Sequence, residues 1–323
     1  MLTDGYNAYS PRALRLLFEG KKVSHLLPFE SPASENTDGV KAEKNVGRLS
    51  LSGAQPKFGL VIGDDLNLRY SLDNEQSTYI MKPRPTGYHV INHDYLMANE
   101  NLTMQLASQI YRINTAPNGL CFFTDGSMAY ITRRFDVHPA GKYAQEDFAS
   151  LMGRTKDKGG SDFKYTGVSY EECAQVIRQY AKSVPVDLLR FFQLVLFNFI
   201  TLNDDAHLKN FTLLNTGKEY HLSPAYDLVN TTLNIREPRI FALENGLFKE
   251  GMELNDTHPV SRQHFEEFGY RIGLPAALVA RDIDRFVAPN PDADALIMRS
   301  FLSPALKRQY LLGYHHRQSM LRP

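Results

Sequence analysis

The sequence predicts an α+β chain in two lobes, a β-rich amino-terminal lobe and a mostly helical carboxy-terminal lobe, on three observations. Short apolar runs with turn residues between them fill residues 48–136, and one helical pattern interrupts them. Beyond about residue 144 the apolar spacing is that of helices. The change of pattern near residue 137 therefore marks the boundary, giving lobes 1–136 and 137–323.

The elements follow in order. Pro11 to Glu19 forms a short amphipathic helix, and residues 30–47, rich in Ser, Asn, Asp, Gly and Lys, read as a connector. Strands are expected at Lys57 to Ile62, Leu66 to Tyr70, Thr78 to Lys82, Leu120 to Phe123 and Ser127 to Phe135, with a helix from His93 to Tyr111. In the second lobe helices are expected at Gln145 to Met152, Tyr170 to Ser183, Asp187 to Leu202 and Pro259 to Gly273. Glu146 and Asp147 would then lie in a first helical turn, where acidic residues suit the helix dipole. A short strand is expected at Phe211 to Leu214.

Bulk properties narrow the function classes. With 323 residues and a 43% hydrophobic fraction, the chain can bury a sizeable core. Lys plus Arg equals Asp plus Glu at 36 each, so no global field recruits nucleic acid or an anionic membrane. Cys121 and Cys173 are expected as reduced, partly buried thiols. The start carries no secretory pattern and the longest apolar run is broken by polar residues, so a soluble cytoplasmic protein with no membrane partner is expected.

The chemistry concentrates in Asn203-Asp204-Asp205-Ala206-His207-Leu208-Lys209-Asn210, followed by Asp227 in Ser-Pro-Ala-Tyr-Asp-Leu. Protein kinases place a catalytic Asp five positions before a metal-binding Asn and supply a second metal-binding Asp downstream. A carboxylate orients the attacking hydroxyl and takes its proton, while hard oxygen ligands hold Mg²⁺ on the phosphates. The competing reading is an Asp/Asn-rich turn. Against it stands Leu188 to Leu202, a nearly apolar run that reads as a buried helix and delivers the polar loop beside a core.

A phosphotransferase also needs a phosphate cradle, a lysine and a partner for that lysine. Arg48 to Lys57 supplies small residues, with one glycine at Gly53, opening into a strand. Lys82 ends the apolar strand Tyr79-Ile80-Met81-Lys82 before Pro83; a solvated strand end is the alternative. Glu100 shares a helical face with Leu96, Met97, Met104 and Ala107, and Lys82 is its natural partner, a rim glutamate being the other reading. Arg133-Arg134-Phe135-Asp136 stands where a hinge would hold adenine, or is simply a basic strand end. His207 is read as a metal ligand, a phosphate or backbone contact, or the residue shaping the loop, the last two being favoured.

With these pieces in order the chain resembles the HipA family of bacterial serine/threonine kinases, toxins of HipBA-type toxin–antitoxin systems. The matching segments are Ser50-Leu51-Ser52-Gly53-Ala54-Gln55-Pro56-Lys57, Tyr79 to Pro83, Asn99-Glu100, Arg134-Phe135-Asp136, Gln145 to Phe148, Asn203 to Phe211 and Pro224 to Leu228. The resemblance implies a bilobal protein-kinase-like fold using ATP and Mg²⁺, with Asp205 as catalytic base and Asn210 and Asp227 as metal ligands. It implies nucleotide contacts from Ser52, Gly53, Ala54, Gln55, Lys57, Lys82, Arg133, Arg134, Phe135, His207, Asn210, Tyr226 and Asp227, with Glu100 in a structural ion pair. Ser50 looks like the family's inhibitory autophosphorylation serine, and Ser52 offers a second hydroxyl, an arrangement similar to the short HipT branch of three-gene (HipBST-type) systems.

The same resemblance implies a protein substrate, an aminoacyl-tRNA synthetase of the glutamate or tryptophan type. It implies an antitoxin with a helix-turn-helix, a separate small subdomain-like protein, or both, and DNA contact only through the antitoxin. Two other classes stay open at this point: a nucleotide-binding pseudokinase regulator, and a metal-dependent hydrolase built on Asp204, Asp205, His207 and His221.

Overall fold

A computed structural model describes residues 2, 8–32, 55–85, 90–217 and 219–323. Five antiparallel strands form the first sheet: β1 (Phe58–Ile62), β2 (Leu68–Tyr70), β3 (Tyr79–Lys82), β4 (Asn118–Phe122) and β5 (Met128–Arg133), in the order β2-β1-β3-β5-β4. Strand β3 is central, pairing Tyr79 to Lys82 with Arg133 to Tyr130 of β5. Because side chains alternate across a strand, Tyr79 and Met81 face one way and Ile80 and Lys82 the other.

The first face is closed by helix Pro11–Phe18. Ser10 caps it by accepting the Ala13 amide, Pro11 starts it, and Glu19 ends it in the left-handed region. Ala13, Leu17 and Phe18 then join Leu60, Tyr79, Met81, Cys121 and Ile131 in one apolar cluster. The other face of the sheet meets helix Leu96–Gln105, whose Leu96, Met97, Leu102 and Met104 belong to a second, larger cluster. That cluster runs without a break into the helical half, through Phe191, Phe197, Phe268 and Phe286.

The helical half is organised around Val184–Ile200, most of which is buried. Around it lie Tyr170–Tyr180, Arg262–Arg271, Ala276–Val287, Pro291–Met298 and Pro304–Ser319. The long helix stops where Leu202 turns left-handed at φ 57°, and the polar loop begins there. Helix Tyr170–Tyr180 carries the capping box Ser169 and Glu172.

The predicted strands and helices lie within a few residues of those observed, with one exception. Gln145 to Asp147 is not the start of a helix. Strand β8 (Ala144–Asp147) pairs with β9 (Thr212–Asn215), which pairs with β10 (Tyr220–Leu222), and the helix is confined to Phe148–Leu151. Asp147 caps that helix through the Ser150 amide at 2.8 Å, so its acidity serves a cap at the strand end. Between β5 and β8 lies a small hairpin of β6 (Val137–His138) and β7 (Gly141–Lys142). Both cysteines are free and buried, and no helix among the described residues is long and apolar enough to cross a membrane.

Candidate active site

Lys82 is the hub of the site. Period-two alternation points it away from the Tyr79/Met81 core, and Pro83 ends the strand behind it. Only 4% exposed, its ammonium lies 2.6 Å from Glu100 Oε1 and also contacts Asp227 Oδ1. The Tyr130 ring lies 5.3 Å below it. Burial alone would lower the Lys82 pKa, but the Asp227 and Glu100 carboxylates outweigh it and hold the ammonium well above its ordinary value.

The two carboxylates respond differently to the same cation. Burial pushes Glu100 up and Lys82 offsets only part of the shift. At Asp227 burial also works upward, but Lys82 and then Lys57, 3.9 Å from Oδ2, hold the group well below the carboxylate range. Asp227 is therefore the firmly ionised member. A buried ion triad of this kind adds little net stability over apolar packing, so its presence argues for a task.

Asp227 reaches Lys82 because its own backbone is left-handed, φ 55°, and because the preceding residues are stitched under the sheet. The Ala116 amide donates to Ala225 O at 2.9 Å and the Ala225 amide to Asn114 O at 2.8 Å. Glu100 is fixed from the opposite side by its neighbour. Asn99 donates to Asn230 O at 2.7 Å and Asn234 Oδ1 at 2.8 Å, and accepts the Asn230 amide at 3.1 Å. Replacing Asn99 by alanine should lower stability by about 1–3 kcal/mol, because buried partners lose their bonds. Urea denaturation checks it.

The loop after Leu202 is shaped by its own polar atoms. Asn203 donates from Nδ2 to Asn198 Oδ1 at 3.0 Å, and its Oδ1 accepts the Asp205 amide at 3.2 Å. The two adjacent aspartates part company. Asp204 accepts the backbone amide of Arg239 and donates its own amide to Thr231 Oγ1 at 3.1 Å, an anchoring role. Asp205 accepts the Tyr165 hydroxyl at 2.6 Å and lines a small cleft of about 20 Å³ together with Gln55, Lys82, Glu100 and Asp227.

His207 is buried with its ring edge-on to Tyr165, centroids 4.9 Å apart, and the Asn210 amide donates to its carbonyl at 2.9 Å. Its own amide donates to Asn210 Oδ1 at 3.3 Å. Of the readings open to His207, the loop-shaping one has this geometry behind it; His207 and Asn210 are not among the residues lining the larger cavity.

That cavity, about 340 Å³, opens between the lobes and ends at Lys82 and Asp227, which also line the Asp205 cleft. Its size lies in the range of about 300–1,000 Å³ usual for small-molecule sites. Ile80, Ala116 and Phe135 make it partly apolar, and Tyr226 flanks Phe135 with ring centroids 5.6 Å apart. Tyr226 is held by donating to Lys209 O at 2.8 Å, while Thr212 Oγ1 lies 2.6 Å from its hydroxyl.

Lys57, Arg133 and Arg134 also line the cavity. The guanidinium of Arg133 pairs with Glu19 and that of Arg134 with Asp136, so their charges are already engaged. Gln55 donates to Pro83 O at 2.8 Å and so ties the end of the loop to the end of β3. Ser50, Ser52, Gly53 and Ala54 lie outside the described residues. Sequence reasoning missed Tyr165, and missed Lys209 and Thr212 as cavity walls; Lys209, in the loop itself, carried a usable signal, whereas Tyr165 carried none. The hydrolase set does not assemble: Asp204 turns to Arg239 and His221 lies 3.4 Å from Asp187.

A family model for the HipA-like C-terminal domain matches residues 49–292. The chain belongs to the HipA-like C-terminal domain family. Among its relatives, a candidate kinase of Haemophilus influenzae is 26% identical over 338 residues, spanning 98% of this chain and 94% of that protein. The serine/threonine-protein kinase toxin HipA of Shewanella oneidensis is 26% identical over 270 residues, 78% of this chain and 58% of the toxin. Among solved structures, the Shewanella oneidensis HipA, HipB and operator DNA complex matches with a TM-score of 0.66 at 22% identity, covering 91% of this chain and 72% of that one. The bilobal α+β fold is thus that of the HipA-like kinases, and the chain is a kinase-like protein.

Proposed function

We propose that the chain is an ATP- and Mg²⁺-dependent protein serine/threonine kinase acting as the toxin of a toxin–antitoxin pair. The observation that carries this reading is the buried Lys82, held between Glu100 and Asp227 where the cavity meets the Asp205 cleft. Phe135 and Tyr226 would flank the adenine, and Lys57, Gln55 and the Ser52 to Ala54 segment would cradle phosphates. Lys82, kept charged by its neighbours, would neutralise phosphate oxygens.

Asp227, firmly ionised, and the amide oxygen of Asn210 suit a hard divalent cation. Bound with nucleotide, Mg²⁺ would offset phosphate charge. Asp205 would orient the substrate hydroxyl and take its proton as the oxygen–phosphorus bond forms and the bond to the leaving ADP breaks. The presence of Lys82, Asp205, Asn210 and Asp227 together favours transfer over mere nucleotide binding.

Further parts of the reading rest on family resemblance. Autophosphorylation would fall on Ser50 and Ser52, where a phosphate of about −1.5 to −2 charge would compete with nucleotide phosphates. The target would be an aminoacyl-tRNA synthetase of glutamate or tryptophan type. Neutralisation would come from a helix-turn-helix antitoxin, from a small separate subdomain-like protein of the short HipT-like branch, or from both; the Shewanella structure holds its HipA with HipB and operator DNA, which supports an antitoxin partner. The protein would act in the cytoplasm, with its lobes dividing near residue 137.

The test is transfer of γ-labelled phosphate from ATP to protein serine by phosphatase-treated protein, with and without a chelator. Label on serine that disappears on chelation is expected. Tight ATP binding with no transfer under any condition would instead identify a nucleotide-binding regulator.

A further inference from the structure

We propose that Tyr165 is the positioning residue of Asp205, an assignment that rests on the kinase reading above. Its hydroxyl donates to Asp205 Oδ1 at 2.6 Å from a position only 1% exposed. A phenol at neutral pH offers a carboxylate one donor and no competing charge. By engaging one oxygen it restrains the carboxylate about its soft terminal torsion. A general base must lie within hydrogen-bond reach of the proton it takes, so this orientation bears on rate.

The segment that carries the tyrosine is itself held from three sides. The Leu208 amide of the catalytic loop donates to Lys164 O at 3.2 Å, and the Glu244 amide donates to Tyr165 O at 2.9 Å. The Arg154 guanidinium donates to Thr166 O and Gly167 O, each at 2.7 Å. The ring packs edge-on against His207, two residues beyond Asp205. The 163–168 segment thereby joins the catalytic loop to residues 244–245, and Tyr165 is the side chain through which that frame reaches Asp205. A buried tyrosine satisfied by any nearby acceptor would fill space equally well; what sets this one apart is that its acceptor is the carboxylate in the cleft beside Lys82 and Asp227.

The experiment is Tyr165→Phe, which keeps the ring and removes only the donor. Expected are a fall in kcat of about ten- to a hundredfold, an ATP KM within about twofold of wild type and a nearly unchanged melting temperature. In an Asp205→Asn background the same substitution should cost little more, since the carboxylate it orients is gone. Unchanged kcat, or an equal loss in both backgrounds, overturns the assignment while leaving the kinase reading intact. A wild-type protein that transfers no phosphate overturns both. If Tyr165→Phe melts far below wild type, single-turnover transfer measured well below its melting temperature decides, and a wild-type rate there rejects the role.

Discussion

Lys82→Met is expected to reduce phosphoryl transfer at least about a thousandfold and to destabilise the fold by about 3–5 kcal/mol, the cost of breaking a buried ion pair from one side. Methionine matches the stem of lysine in shape, so the loss is of charge. Glu100 and Asp227 would then face one another, with Lys57 3.9 Å from Asp227 on a half-exposed side chain.

The pH dependence carries the sign of the interaction. In the wild type, the depressed pKa of Asp227 contributes stability that is present above its ordinary value of 3.8 and is lost as pH falls through the folded value. The raised pKa of Lys82 contributes stability that is full below its ordinary value of 10.5 and is lost as pH rises through the folded value. The raised pKa of Glu100 acts the other way, costing stability once the group ionises in the unfolded chain above about 4.5. Without Lys82 both carboxylates are disfavoured as anions, and the variant should lose ground to wild type as pH rises from about 4 to about 8. Urea denaturation at both ends of that range measures it. A gap independent of pH would mean that the lysine is not compensating the two acids.

Asp205→Asn should lower kcat by about two to four orders of magnitude while leaving nucleotide affinity and stability nearly as they were. Asparagine keeps an oxygen that can accept the Tyr165 hydroxyl, so the loop has no reason to collapse. What it cannot do is take a proton. Single-turnover transfer with labelled ATP, beside calorimetry of ATP binding, separates the two effects. Transfer at the wild-type rate would remove Asp205 from its role, and equal loss of binding and transfer would make it a nucleotide ligand instead.

The site was legible where its logic is local or periodic. Lys82 and Glu100 could be paired on paper because a strand repeats every two residues and a helix every 3.6, so the faces they occupy follow from their neighbours. The five-residue spacing of Asp205 and Asn210 is likewise a property of one loop. Gln145 to Asp147 failed for the opposite reason. Its polar residues ahead of Phe148 carry no strand period, and the segment is a strand because Thr212–Asn215 pairs with it across more than sixty residues of chain. Hydrogen-bonding to a distant strand overrides local propensity in such cases.

The sequence alone determined that a β-rich stretch precedes a helical one, and which residue types an acidic loop in the helical part offers for phosphoryl chemistry. Only the tertiary structure decided what each of the two adjacent aspartates holds, Asp204 the Arg239 amide and Asp205 the Tyr165 hydroxyl. It also decided that one ammonium would serve two carboxylates from opposite lobes, and that a tyrosine forty positions before Asp205 would hold it. The reason is that patterns along a chain report the face a residue occupies within its own element. Which groups meet across elements depends on how those faces pack, and a buried charge or hydroxyl is satisfied only by partners that the packing brings within bonding distance.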